Sequence, residues 1–301
     1  MAGIFSLQFG RGFLRSIRTE PALVDKPAAI GMDAGECPSP AEMDLPHFLN
    51  RFNRLPKLTL PIGVNEECNP VLFDMQDPRP GPILVIGDEL EGNTNFLRLL
   101  ANAIGASETA SDTKFMVITP QPEQWNAWIG ALKVPNSCLG VLSSEDGEAD
   151  EWVIRLAERA EQRLNGRHMN GPILFMIDNF EFITHTDTDV RLNFEWLCNN
   201  GPDAQIWPVF TLPTMQALEM GRWIRYFRTR VIGKIANQAA GRLSIYGGLN
   251  TEDFDPTRQF AIRIQDRWLR FWLPIFDLDT DETDVTDNTN NTDTSNEEAE
   301  L

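Results

Sequence analysis

Apolar residues fall along this chain in two rhythms. Short runs that are apolar throughout, at 83–86, 115–118 and 173–177, alternate with longer stretches whose apolar positions return every third or fourth residue. A run with no polar face predicts a strand buried on both sides, and the helical spacing predicts a helix with one side on the core. Helices are expected over 94–104, where Phe96, Leu97, Leu99, Leu100 and Ala103 recur, over 151–164, which turns Trp152, Val153, Leu156, Ala160 and Leu164 to one side, and over about 189–199. Strands are expected at 83–86, 114–119, 172–179, 205–211 and 229–235, with hairpins at 58–63/70–74 and 259–264/267–273. A single helical turn is expected at 48–52, ahead of the first hairpin. Strands alternating with helices in this way imply an α/β fold: a mainly parallel sheet covered by helices on both faces, closed by a small terminal hairpin.

The ends depart from that rhythm. Residues 1–18 mix Ile4, Phe5, Leu7, Phe9, Phe13, Leu14 and Ile17 with Arg11, Arg15 and Arg18. Two readings are open: an amphipathic helix that touches a membrane surface or a partner, or an arm packed on its own domain. The following stretch, to about residue 46, is rich in Pro, Gly and Ala without periodicity and predicts a linker. The expected division is therefore an arm and linker at 1–57, a folded domain at 58–276 and a tail at 277–301. The tail carries ten acidic residues and no basic one, so it predicts disorder. It also accounts for ten of the net charge of −18, leaving −8 for the rest. That balance argues against an extended nucleic-acid surface over the whole molecule. Cys37, Cys68, Cys138 and Cys198 lie far apart, which predicts reduced, unpaired thiols rather than disulfides or a metal site. With no apolar run long enough for a bilayer and arginines interrupting the first apolar stretch, the expectation is a cytoplasmic protein, peripheral to the inner face of the membrane if the arm binds lipid.

The candidate chemistry sits directly after the first buried strand. Gly87-x-x-x-x-Gly92-Asn93-Thr94 has the frame of a phosphate-binding loop, G-x-x-x-x-G-K-[ST], with asparagine in the lysine position. In a working loop, backbone N–H groups cradle the phosphates, lysine neutralises their oxygens and the hydroxyl holds magnesium. Asp178 closes a later buried strand, where a magnesium-side carboxylate belongs.

The order of these features resembles the FtsK/SpoIIIE/HerA-like group of ring-forming, DNA-pumping P-loop ATPases, over about residues 60–274. Leu60-Pro61-Ile62-Gly63 with Val71-Leu72-Phe73-Asp74 is similar to the lead-in before Walker A, and 83–94 stands in the Walker A place. The helix over 152–164 followed by Ile173-Leu174-Phe175-Met176-Ile177-Asp178 resembles the Walker B region. Val209-Phe210-Thr211-Leu212-Pro213 stands at the sensor segment, Thr229-Arg230-Val231-Ile232 at the following strand and 260–274 at the terminal hairpin. The resemblance implies a RecA-like P-loop NTPase fold, with Gly87, Gly92, Asn93, Thr94 and Asp178 as a degenerate nucleotide site and Thr94 and Asp178 as the magnesium ligands if nucleotide binds. It further implies homo- or hetero-oligomers with related ATPase subunits and DNA reached through the assembly.

Against that pattern the departures gather at the chemistry. Asn93 replaces the Walker A lysine, Asn179 replaces the glutamate that activates water, and Leu212 replaces the sensor glutamine. Phosphoryl transfer is mostly positioning and charge neutralisation, so these groups are the mechanism itself. A charge-assisted contact is worth roughly 1.5–3 kcal/mol, and asparagine cannot supply it. Asp88, Glu89 and Glu91 add negative charge to the same loop; a carboxylate about 6 Å from a phosphate charge opposes it by roughly 3 kcal/mol at an effective dielectric near 20. The expected cofactor is accordingly none, or weakly held ATP or ADP with Mg, and Thr94 and Asp178 have an alternative role as a helix-end residue and a loop-bonding carboxylate.

Arg222, Arg225, Arg228 and Arg230, with Lys234, form the dense basic run, with Trp223, Tyr226 and Phe227 between. The first three recur every third residue, which places them on one side of a predicted helix. A neighbour-directed arginine or docking face, phosphate-backbone binding and a solvated face all remain open for them. Trp125 and Trp128 predict packing, and His47, His168 and His185 receive no role. Three functional readings follow: a catalytically degenerate structural or regulatory subunit of a translocase-type assembly, an ATPase whose site a neighbouring subunit completes, and a membrane-associated scaffold.

Overall fold

The computed structural model describes residues 39–107, 110–131, 136–167, 171–236, 248–264 and 267–276. The arm expected at 1–18, most of the linker, the acidic tail and His168 lie outside the described residues.

Helix α1 (Leu45–Arg51) starts where the Asp44 carboxylate accepts the His47 N–H at 2.6 Å and Pro46 sets the first turn. It places Phe48 in the core beside Met43, Phe52 and Leu55, so the stretch ahead of the first hairpin belongs to the folded body. Strands β1 (Thr59–Val64) and β2 (Pro70–Asp74) pair antiparallel about a turn in which the Asn65 side chain accepts the N–H groups of Glu67 and Asn69.

Six strands are mutually parallel: β3 (Ile83–Gly87), β4 (Lys114–Thr119), β5 (Cys138–Ser143), β6 (Ile173–Ile177), β7 (Ile206–Pro213) and β8 (Thr229–Ile232). The hairpin of β9 (Gln259–Ile264) and β10 (Arg267–Trp272) then joins β8 to β1. One ten-stranded sheet results, in the order β2-β1-β10-β9-β8-β3-β7-β6-β4-β5. The strand that opens into the loop, β3, is separated from the strand that ends at Asp178, β6, by β7 alone.

The all-apolar runs behave as their pattern predicts. Ile83 and Val85 point into one core layer with Phe96, Leu97, Phe115 and Trp207, while Leu84 and Ile86 point into the other with Phe175, Phe210 and Leu156. Helices α2 (Leu90–Ala106) and α3 (Pro122–Ala131) cover the first face; α4 (Gly147–Leu164), α5 (Phe182–His185), α6 (Thr188–Asn200), α7 (Thr214–Glu219) and α8 (Gly221–Ile224) belong to the second.

Three local expectations need correction. Helix α2 begins at Leu90, one turn before the expected Thr94, so only Asp88 and Glu89 separate it from β3. The arginine run is not one helix: α8 ends at Ile224, because Trp223, Ile224 and Phe227 turn inward to an aromatic cluster in which Phe180 stacks on Phe210 at 5.3 Å. Cys68 is disulfide-bonded, against the expectation of unpaired thiols, whereas Cys138 and Cys198 are free. Helix α3 and strand β5 were not expected; α3 buries only Trp125, Trp128 and Ile129, a single turn of apolar spacing, and every residue of the edge strand β5 is half-buried.

Candidate functional site

In an open parallel sheet, ligands bind outside the carboxyl ends of the strands, where the connections cross to opposite faces. Here that edge collects the β3 loop, Asp178 after β6, and the β7–α7 junction.

The loop is held by its own chain. The Asp88 N–H donates to the Lys234 carbonyl at 2.9 Å, and the Asp88 carboxylate accepts the Ala236 N–H at 2.7 Å. This backbone donor of the motif frame is thereby committed to the segment after β8. Asn93 is 1% exposed; its Nδ2 donates back to the Gly87 carbonyl at 3.2 Å, and its Oδ1 has no hydrogen-bond partner. Gly92 meets a different part of the chain: a Cβ there would stand 2.7 Å from the Pro256 carbonyl oxygen and 3.1 Å from the Thr257 Cα. The glycine that closes the motif frame is therefore needed for a turn to pass over the start of α2, a demand that arises without any phosphate. Glu89 stands at the N-cap without a capping bond, and Glu91 follows in the first turn.

Asp178 gathers the second group. Its Oδ1 accepts the Thr94 hydroxyl at 3.0 Å and the Thr211 hydroxyl at 3.0 Å; its Oδ2 lies 2.9 Å from the same Thr94 hydroxyl and accepts the Trp125 indole N–H at 3.1 Å. Thr94 and Asp178, the two expected metal ligands, are thus brought together and bonded directly to each other. Arg98, one turn beyond Thr94, lays its guanidinium over the rings of Trp125 and Trp128 at 5.8 and 5.7 Å. Burial pushes the Arg98 pKa down, and the charges of Asp178 and Glu91 counter that push.

Asn179 sits in the left-handed region at φ 76°, donates its N–H to Thr211 Oγ1 at 2.8 Å and accepts the Glu181 N–H with its own side chain at 3.2 Å. Its amide closes a local turn. Leu212 is fully buried in the second core layer. Glu181 accepts a hydrogen bond from Gln216 Nε2 and lines two clefts; one holds Glu145, Asp146 and Asp150, the other Arg191 and Arg222.

The four arginines separate. Arg222 lies exposed over the Trp223 ring at 4.8 Å, and Arg225, also exposed, donates to the Tyr226 hydroxyl at 3.1 Å. The Arg228 stem lies against Gly81, and Arg230 donates to the Ile224 carbonyl at 3.2 Å. Arg222, Arg225 and Arg228 are all exposed and Arg230 is half-buried, but no one helix carries them, since α8 ends at Ile224.

Trp125 and Arg98 escaped sequence reasoning. Trp125 was expected only to pack, and nothing in its spacing marks it as a partner of a carboxylate 53 residues away. Thr211 had a usable signal, since it stands in the sensor segment beside Leu212. Among the described residues no group of three or more His, Cys, Asp or Glu is placed to hold a metal ion.

No protein-family model matches the sequence, and no curated protein matches it. Solved structures do match in fold. They include Thermomonospora curvata EccC (ATPases 2 and 3) in complex with a signal sequence peptide, at 16% identity and TM-score 0.58 over 83% of this chain and 44% of that one. EssC (ATPases 2 and 3) from Geobacillus thermodenitrificans aligns at 13% identity and TM-score 0.59 over 83% and 46%. The pCW3 conjugation coupling protein TcpA, in its monomer form with ATPγS, aligns at 13% and 0.58 over 80% and 71%. The chain spans less than half the length of the EccC and EssC chains it matches. At these identities the likeness is one of fold, and the fold is that of the RecA-like P-loop ATPases.

Proposed function

We propose that this chain is a catalytically degenerate P-loop ATPase-fold protein that serves as a structural or regulatory subunit of a translocase-type assembly. The observation that carries the reading is that the groups around the lost cations are bonded to one another: Asn93 to Gly87, Asp88 to the 234–236 segment, and Thr94, Thr211 and Trp125 to Asp178. A magnesium–triphosphate fits these residues poorly. Asn93 brings no charge, Gly92 lies under the 255–257 turn, and both oxygens of Asp178 already accept donors. Among structures of the same fold, EccC is a type VII secretion ATPase and TcpA a conjugation coupling protein, which supports a translocase-type assembly.

A second reading has one observation in its favour: Thr94 and Asp178 remain side by side, as a magnesium pair would be. In it, a neighbouring subunit completes the site. Calorimetry with ATP and with ADP, each with and without magnesium, separates the two on the purified chain. The degenerate reading expects no heat of binding below millimolar nucleotide; micromolar affinity overturns it. The mass of the purified complex, with its accompanying chains identified, tests the subunit role.

A further inference from the structure

Trp125 comes from a helix that carries no part of the expected motif, yet it is 1% exposed and its indole N–H ends on Asp178 Oδ2. The ring is fixed from two sides. Trp128 packs edge-on at 5.4 Å, and the Arg98 guanidinium lies over both indoles. An indole nitrogen donates and has no lone pair to offer a cation. Magnesium would need oxygen ligands at about 2.1 Å, and the Oδ2 lone pair that accepts this N–H is not free to serve as one. The two threonine hydroxyls complete the set, so three neutral donors satisfy a carboxylate whose nearby positive charge comes from Arg98.

Resting on the degenerate-site reading, we infer that Trp125, braced by Arg98, is the residue that closes this site to a divalent cation. The indole N–H takes up a lone pair of Asp178 Oδ2 that a cation would need, and the guanidinium lying over the ring holds the indole in place.

The test is Mn2+ binding, read as loss of the free-ion electron paramagnetic resonance signal, on the full chain. Wild type is expected to take up no Mn2+ through Asp178 at millimolar concentration. Trp125→Phe keeps a ring against Trp128 while removing the N–H, and should gain one site that is at least tenfold tighter and disappears when Asp178→Asn is added. Wild-type uptake that depends on Asp178 overturns the inference, and so does a folded Trp125→Phe protein that binds none. Should that variant fail to fold, Arg98→Gln takes its place; it should gain the same site, and absence of binding there is equally fatal. Mn2+ uptake by wild type without nucleotide binding would defeat this inference and leave the degenerate reading standing, whereas micromolar ATP binding without metal would defeat that reading alone.

Discussion

At Asn93 the amide has one bonded end and one orphan, both buried under the start of α2. A lysine there would place an ammonium beside the Gly87 carbonyl in a pocket sized for an amide. Asn93→Lys is therefore expected to destabilise the fold by roughly 1–3 kcal/mol, seen as a lower denaturation midpoint. Asn179→Glu adds a second cost, since φ 76° suits asparagine and disfavours other side chains by roughly 1–2 kcal/mol. The double variant is expected to show no ATP turnover in a phosphate-release assay, because the Asp178 contacts and the turn over Gly92 remain. Measurable turnover would mean that charge alone had been missing. At this scale the sequence named the right positions and misjudged their surroundings. The lysine, glutamate and glutamine losses were legible as letters, but the contacts that fill the vacancies come from Lys234, Ala236, Pro256 and Trp125, at separations that no local pattern encodes.

Among the elements, the turn at 255–258 has the most to say about the site. Asp255 organises it: the carboxylate accepts the N–H groups of Thr257 and Arg258 and the Thr257 hydroxyl. Burial raises the Asp255 pKa, but these bonds and the Arg258 charge outweigh it and hold the group below its ordinary 3.8. A carboxyl whose folded pKa is depressed gives its full stabilisation above the ordinary value and loses it as pH falls through the lower folded value. Asp255→Asn should therefore melt below wild type by a constant margin from about pH 5 to 7, with the gap closing only under pH 3.8. A gap that widened in acid would show the sign to be wrong. A second joint ties the opposite edge of the sheet. Arg163, at the end of α4, donates to the carbonyls of Ala204, Gln205 and Gly171, and burial, with Arg159 nearby, lowers its pKa to about 10. Arg163→Met leaves those carbonyls without their donor and should cost roughly 3 kcal/mol by chemical denaturation. Elements with a strong period, β3, β4, β6 and α4, were legible. The edge strand β5 shows little pattern because all of it is half-buried, α3 offers only one apolar turn at Trp125, Trp128 and Ile129, and Leu90 and Glu91 read as loop beside a glycine, which sets the expected start of α2 too late.

For the whole molecule, the sheet itself was the most legible feature, because alternation of all-apolar strands with amphipathic helices leaves few topologies. What pattern could not show is that both hairpins extend the parallel sheet into one sheet of ten strands. A ligand that binds only the folded state at 100 times its Kd adds about 2.7 kcal/mol, enough to move the melting point of a chain this size by roughly 5–10 °C. Differential scanning with millimolar Mg–ATP is expected to show no such shift, and one of that size would argue for an occupied site.

Among the described residues the first and last segments meet in a short backbone bridge. Leu45 donates its N–H to the Ile275 carbonyl and Ile275 returns one to Met43, so the chain enters and leaves on adjacent backbone. The bridge is parallel, so tension applied through residues 39 and 276 would load its two hydrogen bonds in shear, and reach β10 and β1 before it strained β3 or β6. A pull on either flank is in this way mechanically insulated from Asp178.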